Sequence, residues 1–409
     1  MTKFLCHYDF FNFKIENEKI PKDVISLSPD AKYIAYAISK GFIYIYDLDN
    51  GMCIQTFDIS KDKKLTVINE QHKFTNNIIW HPLEKDIIAS CHTNNSVNLW
   101  NIKTGKKIGS LKSQFKIGKK WDYNSGFYSI SWSPNGKYLA CATKDIIMWD
   151  LSTNTISIID CHNEIIKSLL WSLDGTKLIS SINNRSINLW NVSSSKQSEN
   201  PSILPKFPKL LPLNYKVKPL LDDIDSSISS NTDILNVSLL NTFAKCDYWI
   251  YYLSLSRCGK FLASSGSNNI IDIWNITTLE HKSQFKYKDN QHSIISMKFL
   301  SDLETIAFCN YNFNNNKICF IDINTGIKKL EINFYSHLPI YLNFSSYDWI
   351  FAISKFNEPI YLYNYFGKGS ELSSTLLLML ATKNKKSKHT KRLPTELWDW
   401  FAFEFLKLF

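Results

Sequence analysis

Short runs in which apolar and polar positions alternate recur along the chain, as in Ser186-Ile187-Asn188-Leu189-Trp190. A period of two puts successive side chains on opposite faces, so each run predicts a β-strand with one face covered. A constant unit repeats: an apolar strand, a small turn such as Ser28-Pro29-Asp30-Ala31 or Ser172-Leu173-Asp174-Gly175, a second strand such as Lys137-Tyr138-Leu139-Ala140-Cys141, and then the alternating strand.

The register of these units is regular. From the third residue of the turn to the Asp or Asn that ends the alternating strand, Asp30–Asp47, Glu84–Asn101, Asp174–Asn191, Cys258–Asn275 and Tyr347–Asn364 are each 17 residues apart. Asn135–Asp150 is 15, which shortens a hairpin near Lys144, and Asp302–Asp322 is 20, where Asn312, Asn314, Asn315 and Asn316 lengthen one. Seven units emerge, and a fixed period of this kind is the mark of a repeat architecture.

The unit endings Trp100-Asn101, Trp149-Asp150, Trp190-Asn191 and Trp274-Asn275, with Tyr46-Asp47, Ile321-Asp322 and Tyr363-Asn364 as worn copies, resemble the Trp-Asp endings of WD repeats. The resemblance covers about residues 1–367. It implies an all-β fold, a seven-bladed WD40 β-propeller, with one chain end completing the other end's blade. Lys3–Phe13 is the expected closing strand, because little sequence remains after Tyr363-Asn364 for a last outer strand. Where the family has an acid before the third strand this chain has Asn94, Asn184 and Asn268, so weaker networks within the blades are expected. His162 and His292 take the family's structural histidine role in this reading.

Distances between successive unit ends are 54, 49, 41, 84, 47 and 42 residues, so three connections are enlarged. The first holds Lys61, Lys63 and Lys64, and the second Lys116, Lys119, Lys120, Trp121 and Tyr123. Both are expected between the outer strand of one blade and the inner strand of the next, on the same face as the Ser-Pro-Asp turns. There they would build one basic, aromatic rim for a protein or peptide, with Lys63, Lys64, Lys119, Lys120, Trp121 and Tyr123 as contact residues. The third insertion, about 197–245, is rich in proline (Pro201, Pro205, Pro208, Pro212, Pro219) and then acidic and serine-rich. It reads as an irregular arm, with a decayed eighth blade as the alternative.

Residues 368–409 read as a helical tail. Leu376, Leu377, Leu378 and Leu380 mark one helix, 383–392 forms a basic linker, and Leu393-Pro394-Thr395-Glu396-Leu397-Trp398 opens a second helix that is apolar nearly all round. This segment resembles the start of an F-box, and a helical tail after WD repeats is similar to the arrangement in SOCS-box proteins. The resemblance implies docking of a ubiquitin-ligase scaffold through Leu393, Pro394, Leu397, Trp398 and Phe401. Leu380 departs from it, standing where a SOCS box has cysteine. An anionic membrane surface is a further reading of the basic, aromatic tail, opposed by Glu396, Asp399 and Glu404.

The net charge of +10 changes this picture little, since Lys383, Lys385, Lys386, Lys388, Lys391 and Arg392 crowd into the one linker. Nucleic-acid binding would call for basic residues spread along a face among exposed aromatics. Nine cysteines, an odd number without a CxxC pair, point to a reducing compartment, the cytoplasm with the nucleus left open. Met1–Phe13 has no basic stretch followed by an apolar core, and the longest apolar run, Leu376–Ala381, is too short to span a bilayer. No phosphate loop, HExxH or GxSxG elbow occurs, and the histidines are scattered, so neither cofactor nor metal nor catalysis is expected. The sequence therefore predicts a non-catalytic scaffold whose propeller binds one protein partner and whose tail docks a second, with a ubiquitin-ligase substrate receptor as the alternative.

Overall fold

The structure, a computed structural model, describes residues 6–8, 24–38, 41–48, 52–59, 75–94, 96–113, 126–159, 165–183, 185–195, 215–218, 234–286, 294–300, 304–310, 316–334, 340–344, 350–355 and 361–364. Among them every regular element is a β-strand. The expected helical tail, 368–409, lies outside the described residues, and Cys6–Asn364 forms one compact unit.

The strands pair antiparallel into small sheets, each counted here from its inner strand outward. Sheet 1 is Val24–Leu27, Tyr33–Ile38, Phe42–Asp47 and Cys53–Asp58; sheet 2 is Thr75–Trp80, Ile87–His92, Ser96–Asn101 and Lys106–Ser113. Sheet 3 is Ser129–Trp132, Tyr138–Ala142, Ile146–Asp150 and Thr155–Ile159; sheet 4 is Ile166–Trp171, Lys177–Ile182, Ser186–Ser195 and Ile234–Lys245. Sheet 5 is Ile250–Leu255, Phe261–Gly266, Ile270–Asn275 and Glu280–Lys286; sheet 6 is Thr305–Asn310, Asn316–Asp322 and Lys328–Phe334 behind Ile294–Phe299. These six are blades of strands that follow one another in the chain, Tyr215–Lys218 aside. The remaining sheet is composite. Ile340–Phe344, Ile350–Lys355 and Tyr361–Asn364 are joined by Cys6–Tyr8, paired Cys6 to Asn364 and Tyr8 to Leu362.

Each inner strand lies beside the inner strand of the next sheet, and Ile340–Phe344 lies beside Val24–Leu27, so the inner strands close a cycle. Polar groups stitch the seams. The Leu27 amide donates to Asn343 Oδ1 (3.0 Å), the Trp80 indole to Ser26 O (2.9 Å), the Leu169 amide to Ser129 Oγ (3.2 Å) and the Phe299 amide to Ser254 Oγ (2.8 Å). Apolar side chains fill the space between sheets, for example Leu99, Val97 and Leu111 against Ile130, Leu139 and Trp149. Middle strands are thus covered on both faces, which is why Tyr138–Ala142 is buried throughout. Outer strands such as Glu280–Lys286 are largely exposed.

Two expectations are corrected here. The 197–245 insertion is not irregular throughout, because Ile234–Lys245 is the outer strand of sheet 4, in register with Ser186–Ser195, and Tyr215–Lys218 adds a fifth strand to sheet 2. These strands extend existing sheets, so they build no eighth blade. The prolines that suggested an arm all precede Ile234, and a strand without proline can keep its ladder.

The turns leading into the second strands repeat one device. Ser28, Ser133, Ser172 and Ser256 each accept, at Oγ, the amide five residues on, at 2.8–2.9 Å. His81 replaces the serine in sheet 2, and its Nδ1 accepts the Leu83 and Glu84 amides (3.2 and 2.8 Å).

Candidate functional site

All of the contact residues expected from sequence, Lys63, Lys64, Lys119, Lys120, Trp121, Tyr123, Leu393, Pro394, Leu397, Trp398 and Phe401, lie outside the described residues, as do His162, His292 and Asn184. The described ends of the first two insertions nevertheless fix where those insertions leave and enter the ring. Ile59 donates its amide to Gly41 O (2.9 Å) and Phe127 to His92 O (3.3 Å), and Gly41 and His92 belong to hairpins between second and third strands. The Ser-Pro-Asp turns sit at the other ends of the same strands, since Leu48 N bonds Lys32 O (2.8 Å) and Leu151 N bonds Lys137 O (3.0 Å). The expectation that insertions and Ser-Pro-Asp turns share a face is therefore wrong. In a four-stranded antiparallel blade the first and third turns fall at one end, and the second turn and the connection to the next blade at the other.

At that hairpin face the inner strands begin with a common irregularity. The ladder slips between Thr75 and Asn77, Ile166 and Ser168, and Ile250 and Tyr252, leaving Asn76, Lys167 and Tyr251 as extra residues at the strand entrances. Tyr128 precedes the inner strand of sheet 3 in the same way. A bulge of this kind re-aims its side chain out of the ladder. Asn76 Nδ2 donates to Phe127 O (2.6 Å), and Lys167 Nζ stands 4.1 Å from the centre of the Tyr128 ring, a cation–π contact.

On the same face stands Trp249, 49 % exposed, with the Arg185 guanidinium 5.9 Å from its ring centre. Its backbone is fixed: the Trp249 amide donates to Ser267 Oγ (3.1 Å) and the Ser267 amide to Trp249 O (3.0 Å). Gly266 makes this approach feasible, since a β-carbon there would fall 1.7 Å from Trp249 O. An exposed aromatic on a fixed backbone loses little conformational freedom when it is covered by a partner. Sequence reasoning chose Trp121 as anchor and passed over Trp249, whose signal was the glycine 17 residues later that lets the two backbones meet.

Polar networks inside the blades differ from those expected. Trp100, Trp190 and Trp274 donate their indole N–H to Ser90, Ser180 and Ser264 (2.8, 2.9 and 2.9 Å), each ten residues earlier. In sheet 2 the chain continues from Ser90 to His92 Nε2 (3.0 Å), and from His92 Nδ1 to Thr75 Oγ1 (3.2 Å). In sheet 5 Asp272, only 3 % exposed, accepts from Tyr248 Oη (2.7 Å), His281 Nε2 (2.7 Å) and Gln284 Nε2 (2.9 Å). Burial pushes the Tyr248 phenol well above its ordinary range and the Cys246 thiol up to about 11. Sheet 5 thus carries an acid within its third strand, although Asn268 stands where the family has one, and the weaker network expected there is not what this sheet shows. Asn94 accepts Ser96 Oγ (2.6 Å), and Asn268 Oδ1 is buried without a hydrogen bond among the described residues. Asp272 is saturated by three donors, which suits a structural knot.

No three His, Cys, Asp or Glu side chains converge on a metal position among the described residues. Cys53, Cys91, Cys141, Cys246, Cys258, Cys309 and Cys319 are free thiols, and Cys91, Cys141, Cys309 and Cys319 are buried.

Comparison with known proteins agrees with this architecture. Residues 117–150 and 153–191 match the WD domain, G-beta repeat family. The chain is 23 % identical over 202 residues to WD repeat-containing protein AAC3 of Dictyostelium discoideum, covering 49 % of this chain and 32 % of that one. It is 28 % identical over 160 residues to the anaphase-promoting complex subunit cdc20 of the same organism, covering 36 % and 30 %. To the Arabidopsis thaliana transcriptional corepressor LEUNIG_HOMOLOG it is 23 % identical over 122 residues, covering 29 % and 14 %. In all three the matched stretch spans under a third of the relative's length.

Proposed function

Because this chain is a WD40-repeat β-propeller, we propose that it acts as a non-catalytic scaffold that holds another protein at the hairpin face. WD40 proteins generally serve as platforms for protein interaction, and the observation that carries the reading to this face is Trp249. A large apolar ring held half in solvent by its own backbone bonds, next to Arg185 and on the same face as Lys167 and Tyr128, has the composition of an interface hot spot. Two cationic groups beside flat aromatic surfaces favour a partner segment that carries carboxylates among apolar residues. The insertions with Lys63, Lys64, Lys119, Lys120, Trp121 and Tyr123 leave the ring at this same face and would widen the contact. The odd number of cysteines without a CxxC pair favours a reducing compartment, the cytoplasm with the nucleus left open.

A second reading adds recruitment of a ubiquitin-ligase scaffold through Leu393, Pro394, Leu397, Trp398 and Phe401, which would make the propeller a substrate receptor. It rests on the tail sequence. Similarity to a subunit of the anaphase-promoting complex and to a corepressor supports membership of larger assemblies, with the partners of this chain still to be named by experiment.

The test is quantitative affinity capture from cells with four versions: the full chain, Trp249→Ala with Lys167→Ala, Leu83→Ala on the opposite face, and a chain ending at Gly369. Partners that drop with the double variant and persist with Leu83→Ala support the hairpin face. A cullin-type scaffold lost only on truncation supports the receptor reading. Equal capture by the full chain and the double variant would overturn the assignment of the face.

A further inference from the structure

Exposed sheet edges invite other strands, and folded proteins blunt them with charge, with shortness or with a covering segment. Six outer edges of this ring follow that rule. Glu280–Lys286 carries Glu280, Lys282 and Lys286, Lys328–Phe334 carries Lys328, Lys329 and Glu331, and Cys53–Asp58 is only six residues long. Thr155–Ile159 is five residues long and Cys6–Tyr8 three. In sheet 2, Lys106–Ser113 carries three lysines and is covered by Tyr215–Lys218.

The outer strand of sheet 4 breaks it. Ile234–Lys245 runs for 12 residues, has neither proline nor charge before Lys245, and ends the order of its sheet with no further strand paired to it among the described residues. Two slips in its ladder leave Phe243 and Leu240 as extra residues. In a regular strand neighbours point to opposite faces. Here the slip at Leu240 leaves consecutive leucines, Leu239 and Leu240, 44 % and 54 % exposed, between exposed Ser238 and Thr242.

We propose that this edge is a homodimer interface, in which Ile234–Lys245 pairs antiparallel with the same strand of a second copy. The charge pattern of the strand favours a second copy of the same chain. Antiparallel self-pairing about a two-fold axis near Leu239 and Leu240 sets uncharged residues opposite uncharged residues over the whole central stretch. It carries the single lysine of each copy to opposite ends of the ladder, so like charges never face one another. The arrangement buries the four leucines of the two copies together and gives a closed pair, not a growing filament. It uses an outer edge of the ring and does not depend on the hairpin face holding a partner.

Sedimentation velocity of the purified full chain over about 1–100 µM is the test, since dimer content follows protomer concentration. The wild-type chain is expected to move from monomer to dimer across the series. Leu239→Lys with Leu240→Lys, and the single Leu240→Lys at the slipped position, should stay monomeric, with at least a tenfold weaker association. Leu83→Lys, at an exposed leucine in the first turn of sheet 2, should dimerise as wild type does. Circular dichroism shows whether each variant retains its sheets. A wild-type chain that stays monomeric throughout, or a dimer that survives the double substitution in a folded protein, overturns the proposal, as does equal loss with Leu83→Lys.

Discussion

The imidazole of His81, in sheet 2, hydrogen-bonds the carbonyl of Gly136, in sheet 3, at 3.1 Å from Nε2, and a β-carbon on that glycine would lie 2.2 Å from the ring. Gly136 has φ of +71° and Gly259, in the corresponding turn of sheet 5, +69°, but nothing stands within 4 Å of a β-carbon at Gly259. The two glycines therefore separate backbone strain from crowding. Gly259→Ala should cost about 1–2 kcal/mol for the left-handed conformation alone. Gly136→Ala should cost roughly 1–3 kcal/mol more, because the ring must give way. Denaturant unfolding of the pair measures the difference, and equal losses would show that the contact between the sheets carries no weight.

His81 should also make stability depend on pH. Its Nδ1 accepts two amides, which requires the neutral ring with the proton on Nε2, and burial lowers its pKa below the ordinary value, although Gly136 O and Glu84 pull the other way. A histidine whose folded pKa is depressed binds fewer protons folded than unfolded, so its contribution is complete above about 6.5 and declines as pH falls below it. Unfolding free energies from pH 7.5 down to 5, wild type against His81→Asn, should converge as the pH drops. Parallel curves would mean that the ring does not titrate with folding.

The tryptophan bonds are expected to differ in weight. Ser264→Ala leaves the Trp274 N–H buried without its acceptor and removes a neighbour of Tyr248 Oη (3.2 Å), a loss of about 1–3 kcal/mol. In sheet 3 Cys141 takes the serine's place and Trp149 turns to Asn154 Oδ1 instead (3.1 Å). Asn154 sits at φ of +55° in a partly exposed turn, so Asn154→Gly keeps the backbone and should cost about 1 kcal/mol or less. Thermal melts rank the two.

Among the described thiols, Cys258 should react first with iodoacetamide. It is exposed in the turn of sheet 5, and although burial opposes it, hydrogen bonds from Ser256 and nearby backbone amides lower its pKa. Cys141 and Cys309 are fully buried and pushed up by that burial, so they should resist until unfolding. Mass spectrometry of the partly alkylated native protein reads the order, and early labelling of Cys141 would contradict the packing between sheets 2 and 3.

The repeat was legible because each unit must cover the same two faces, so turn serine, buried second strand and Trp-Asn ending recur at fixed spacing. The closing strand was legible too: Cys6–Tyr8 falls inside the expected Lys3–Phe13. Irregular neighbours hid the rest. Ile234–Lys245 lies 38 residues beyond the strand it pairs with, and no local period marks such a partner. The Asp272 knot was missed because Tyr248, in the connection into sheet 5, and His281, in its outer strand, reach it from different elements, and Trp249 because its backbone is held by a separate hairpin that only a glycine lets approach. The face of the insertions was misjudged through counting turns, not residues, since alternate turns of a blade fall at opposite ends.

Three residues near one end of the chain, Cys6–Tyr8, complete a sheet whose other strands begin at Ile340. During synthesis, then, the ring cannot close until some 330 residues have followed its first strand, and the first and last sheets wait with an inner strand uncovered on one side. Until then the uncovered inner strands are open to pairing with other chains, and the contact that ends this exposure is the one of longest sequence separation in the ring.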